Sequence, residues 1–181
     1  MLERTNVILG HVASIHEAMG HEEPPFDFSR FLEVYPEFTL IPARLPAVLD
    51  GRLRIKEGRP FIFYNVNTTR GRQRFTIAHE IGHAFLHTDL FSCRVAETFS
   101  RRKASRRPVA ETEADFFASE LLMPLPLLDR RAPAELEDLP ESSLNRLVVR
   151  LSRTFNVSKT AMRIKLHDLR HIRKTTVGRR R

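Results

Sequence analysis

The string His79-Glu80-Ile81-Gly82-His83 constrains this chain more than any other feature, because its chemistry works only on a helix. At 3.6 residues per turn, two histidines four apart stand about 40° from each other, so both imidazoles can reach one ion. Glu80 lies about 100° from His79, where it can address a water at that ion without displacing it. Ile77, Ile81 and Phe85 occupy the opposite face and anchor the helix in a core. Ligands on a cleft with apolar residues behind them is the arrangement a hydrolytic zinc helix requires. A chance His-Glu-x-x-His on an ordinary amphipathic helix would look the same in isolation. A third ligand is what separates the two.

A catalytic zinc site takes three protein ligands and keeps one position open. Downstream, ETEADFFASELLMP offers Glu111, Glu113, Asp115 and Glu120. On a helix Glu111 and Asp115 share a face with Ala118 and Leu122, while Glu113 and Glu120 project almost oppositely. Two carboxylates on a face that otherwise buries Ala and Leu need a compensating cation. Glu111 as metal ligand, with Asp115 accepting a hydrogen bond from the second nitrogen of a ligand histidine, supplies that compensation. The plain alternative is a solvated first turn, where acidic residues favour the helix dipole. Asp89 is a rival third ligand by its distance from the motif, but Leu86 stands where a chain-turning glycine is needed. His87 lies one turn beyond His83 and lines the cleft or holds a substrate carbonyl in one reading, or is merely a polar helix end in the other. Cys93 reads as a small apolar loop residue.

Elsewhere the patterns predict helices over about 3–19, 28–35, 71–88, 109–123, 142–155 and 158–172. RLRIK, EGRP and FIFYNV predict a hairpin, whereas the passage through Pro36, Pro42 and Pro46 reads as irregular. A single cysteine cannot form an internal disulfide and favours a reducing compartment. No apolar run is long enough for a signal peptide or a membrane span, so a cytoplasmic protein is expected. The net charge of +8 is unevenly placed: residues 146–181 carry 12 basic groups against one acidic, and 101–107 are basic too. Such segments suit an acidic partner, nucleic acid included, or serve solubility.

The runs RQRFTIAHEIGHAFLH and ETEADFFASELLMP together resemble the ImmA/IrrE metallopeptidases. FIFYNVN before them and LSRTFNVSKTAMRIKLHDL after them fit that family's order, so the likeness covers about residues 40–172. By position, His79, His83 and Glu111 match the family's metal ligands, Glu80 its catalytic base, and Asp115 a place often held by Asn or Asp. The resemblance implies an α+β, zincin-like minimal metallopeptidase with a small antiparallel or mixed sheet, the His-Glu-x-x-His helix and a C-terminal helical pair. The expected layout is a peptidase domain over 1–139, the helical pair over 140–172 packed on it, and a basic disordered tail over 173–181. The family's implied action is cleavage of a helix-turn-helix repressor, which derepresses mobile-element or stress-response genes. The basic 101–107 insertion and Arg-rich end depart from its pattern and put substrate choice in question.

Zinc would make water a nucleophile near neutral pH, with Glu80 moving the proton to the leaving amine; manganese suits a similar ligand set. An oxyanion donor is expected from His87 or Tyr64, and the strand 61–66 is either an edge for pairing with substrate or an internal strand of the sheet. The competing class is a DNA-binding or repressor-sequestering regulator with a structural or vestigial metal site. Its motive is the helical pair joined at Asn156-Val157-Ser158, with Arg150, Arg153, Lys159, Arg163 and Lys165 nearby.

Overall fold

In the computed structural model, which describes residues 2–87 and 109–178, the chain opens with helix α1 (Leu2–Met19). The expectations for Asp89, Cys93 and the basic segment 101–107 lie outside the described residues. Ile8, Val12, Ile15 and Met19 recur every three or four residues along α1, and all four are buried. Helix α2 (Phe28–Val34) starts at Asp27, whose carboxylate accepts from the amides of Ser29 and Arg30 and so satisfies two orphan donors.

Three strands follow: β1 (Thr39–Ala43), β2 (Gly51–Lys56) and β3 (Arg59–Asn65), in the sheet order β1-β3-β2. The β2–β3 hairpin is as the sequence predicts. It turns through Glu57 and Gly58, both at positive φ (53° and 74°), the geometry a two-residue turn needs to match strand twist. One expectation is corrected and one alternative is decided. The passage expected to be irregular contains β1, which runs parallel to β3; Pro42 is tolerated there because an edge strand bonds on one side only. Strand β3 does not present an edge, since it pairs with β1 on one side and β2 on the other. Its aromatic and β-branched run suits that central position.

Helix α3 (Arg70–Leu86) carries the His-Glu-x-x-His string, and α4 (Val109–Leu122) packs directly on it. Their approach is set by Gly82: a Cβ there would stand 3.0–3.2 Å from the Phe117 side chain. A glycine inside a helix costs about 0.5–1 kcal/mol, and here that cost is what lets α4 come close enough to share a site with α3. The chain continues through α5 (Leu125–Asp129), a 3-10 turn (Leu136–Asp138), α6 (Glu141–Thr154) and α7 (Lys159–Gly178). Helix α7 runs past Ile172, and Arg173 on that extension bonds the Asp129 carboxylate at 2.9 Å and the Pro133 carbonyl at 2.7 Å.

The C-terminal pair shares one core with the rest: Leu147, Leu151, Phe155, Met162 and Leu166 join the same apolar cluster as Ile15 and Ile81. Several cations that made this pair look like a DNA reader are engaged within the protein. Lys165 forms a buried ion pair with Glu120 of α4, Arg163 bonds Glu141, and Arg150 donates to the Arg131 carbonyl. The architecture is thus α+β, with seven α-helices around a small mixed sheet among the described residues. Among the described residues, no helix is long and apolar enough to cross a membrane.

Candidate metal centre

Three side chains converge where α3 meets the first turn of α4. His79 Nε2 and His83 Nε2 lie 3.0 Å apart, and the two oxygens of Glu111 lie 3.3 Å from the first and 3.2 Å from the second. The helical spacing of His79 and His83 puts both rings on one face, and the Gly82–Phe117 contact brings Glu111 across to them. A four-coordinate zinc with bonds of about 2.0–2.1 Å sets neighbouring ligand atoms about 3.3–3.4 Å apart. The two nitrogens and the Glu111 carboxylate are spaced near that size. Among the described residues this is also the one His, Cys, Asp or Glu group whose ligand atoms all lie within 4.8 Å of one another.

The electrostatics point the same way. Both imidazoles are buried, at 7% and 5% exposure. Burial alone would lower the His79 pKa, but hydrogen bonds to Asp115 and Glu111 outweigh it and lift the value to about 9. Burial would raise Glu111, and the two histidines instead hold its carboxyl well below the usual carboxylate range. The cluster therefore draws a positive charge, a proton or a metal ion, into the space between the rings.

Each of the two histidines is oriented from behind. His79 Nδ1 donates to Asp115 Oδ1 at 2.9 Å, as the shared face of Glu111 and Asp115 predicts. His83 Nδ1 meets His87 Nδ1 at 3.2 Å, and His87 Nε2 meets Glu113 Oε2 at 2.9 Å. Glu113 in turn accepts two hydrogen bonds from Arg4, at 2.9 and 3.0 Å. His87 is thus engaged by His83 on one side and Glu113 on the other. It is buried, and both its nitrogens meet protein partners, one of them Glu113 of α4. Glu113, expected to project away from the site, is the missed member; Arg4, 109 residues distant in sequence, left no local signal for it.

Glu80 lies on the side of α3 that meets β2. Gly51, the first residue of β2, comes so close to α3 that a Cβ on it would collide with Thr76 Cγ2, stand 2.9 Å from the Phe63 carbonyl and reach 3.4 Å from Glu80 Oε1. Tyr64 is paired opposite Gly51 in the sheet, on the face that meets α3, and is half-buried against the core. A groove of about 600 Å3 opens beside Asp115, between α3, α4 and α7, with Phe75, Met123, Ala161 and Ile164 among its walls.

Comparison with known proteins adds three findings. A peptidase family described as the IrrE N-terminal-like domain matches residues 38–167. A solved structure of a Mycobacterium tuberculosis transcriptional regulator is similar in fold, with a TM-score of 0.57 at 18% sequence identity. That match covers 88% of this chain and 47% of the regulator, so the chain spans about half that protein's length. No curated protein matches the chain.

Proposed function

Since the chain belongs to the IrrE N-terminal-like peptidase family, we propose that it is a zinc-dependent, cytoplasmic endopeptidase whose substrate is a helix-turn-helix transcriptional repressor. The observation that carries the reading is the convergence of His79 Nε2, His83 Nε2 and the Glu111 carboxylate at 3.0–3.3 Å. Zinc is the first choice for a His-His-Glu set, with manganese the alternative. When bound, zinc supplies a Lewis acid that makes water nucleophilic near neutral pH and polarises the scissile carbonyl.

The remaining steps belong to the chain's own residues. Glu80 accepts the proton of the attacking water and returns it to the departing amine. Asp115 keeps His79 in the tautomer that offers Nε2. Tyr64 is a candidate for a donor to the developing oxyanion. The outer edge of β2 pairs with no strand among the described residues and begins beside Glu80, so it suits main-chain pairing with an extended substrate. The apolar groove beside Asp115 suits a hydrophobic side chain next to the scissile bond. Cleavage of such a repressor would derepress the mobile-element or stress-response genes it controls.

The test is incubation of the zinc-loaded protein with helix-turn-helix repressors encoded beside its gene, with and without chelator, followed by intact-mass spectrometry. Two fragments that disappear with chelator support the proposal. Repressors left whole in both arms contradict the substrate assignment.

A further inference from the structure

Two ligand histidines in one site are held from behind in different ways, and the longer arrangement reaches a part of the chain that the family match does not cover. His79 is held in one step by Asp115. His83 is held in three, through His87, Glu113 and Arg4. We propose that His87, Glu113 and Arg4 are positioning residues that fix His83 as a metal donor, which makes α1 part of the metal centre; the proposal rests on the metal-centre reading above.

The hydrogen-bond directions along this path follow from what each group can donate. An ionised carboxylate is an acceptor only, and Glu113 already takes both N–H groups of Arg4 in a two-pronged contact. His87 Nε2 must therefore carry the hydrogen it shares with Glu113. In a neutral ring that leaves His87 Nδ1 as an acceptor, so His83 Nδ1 carries a hydrogen and donates. His83 Nε2 is then left with its lone pair, and that nitrogen is the one facing Glu111 and His79. One assignment satisfies every link, and it delivers the tautomer that metal binding requires.

The outer end is anchored through its helix. Arg4 is half exposed, but its helix is pinned by the buried Ile8, Val12 and Ile15. Helix α1 precedes the matched segment 38–167, so the surroundings of His83 extend beyond that segment. His87 itself is 6% exposed and Glu113 12% at its side chain, which keeps competing water away from the inner links.

The test titrates zinc into the full-length chain against a chromophoric chelator, with melting of the metal-free forms measured in parallel. His87→Ala should weaken zinc binding about 10- to 100-fold, the range found for groups that orient metal-ligating histidines. Glu113→Gln should cost less, and the surface change Arg4→Met least. The double variant Arg4→Met/Glu113→Gln should bind as weakly as Glu113→Gln alone, because Arg4 acts through Glu113. Unchanged affinity in His87→Ala would overturn the proposal, as would additive losses in the double variant. Lower melting temperatures with unaltered zinc affinity would reduce the three residues to braces of the fold and overturn it too. A wild-type chain that binds neither zinc nor manganese instead overturns the metal-centre reading, an outcome told apart because every variant then behaves alike.

Discussion

At the C-terminal end of α4, Glu120 is buried against Lys165 of α7; at its N-terminal end, Glu111 faces two imidazoles on α3. Both carboxylates have left water for a place among apolar side chains, and both need a positive charge. Lysine brings one that is built into the chain. The imidazoles bring none of their own and acquire it with a proton or a shared metal ion, as the His79 pKa of about 9 reflects. A buried carboxylate is therefore no mark of function in itself. The mark is a compensating charge that can be exchanged.

The largest expected effect comes from the functional end. Glu80→Gln should lower the cleavage rate about 10²- to 10⁴-fold while the chain keeps its metal, read as kcat on a protein substrate beside metal content. Undiminished turnover would remove Glu80 from the chemistry. At the structural end, Lys165→Met leaves Glu120 charged and buried and should destabilise the fold by about 3–5 kcal/mol in urea titration, with metal per chain unaltered. Adding Glu120→Leu should restore most of that loss; a variant that instead loses metal would show that the two ends are not separate.

A smaller effect is expected at Gly51, where close approach rather than charge is at stake. Gly51→Ala puts a methyl group against Thr76 and the Phe63 carbonyl, costs about 1–3 kcal/mol, and displaces β2 from Glu80. Turnover should fall with zinc affinity unchanged, and wild-type values for both stability and kcat would dismiss the contact. The smallest effect belongs to His16, a largely buried ring for which burial, not a charged partner, decides the ionisation. Burial pushes its pKa down to about 4. The folded chain keeps His16 neutral while the unfolded chain takes a proton below about 6.5. Stability is thus fully present above pH 6.5 and declines as pH falls towards 4, by about 1–2 kcal/mol allowing for partial exposure. His16→Leu should flatten that part of the stability profile; an unchanged slope would assign it to other groups.

How far the sequence alone reaches differs between the same regions. His79, Glu80 and His83 are legible because their spacing lies within one helix, and Glu111 with Asp115 because two carboxylates four apart share a face. The helical wheel turns Glu113 away from Glu111, and it names no neighbour for it, because Arg4 comes from the far end of the chain. The same gap affected His87, whose position one turn past His83 was readable while its inward partners were not. Strand β1 was hidden by Pro42, since a proline argues against a strand until the strand is known to be an edge. Gly51 sits at the start of a strand with no local peculiarity, and its meaning arises only when α3 is packed across it.

The direct test of the central claim is the metal content of three purified proteins after zinc loading and desalting: wild type, Glu80→Gln and Glu111→Ala. A metal centre built on His79, His83 and Glu111 requires one zinc per chain in the first two and little or none in the third. Equal zinc in Glu111→Ala, or none in the wild type, would contradict it.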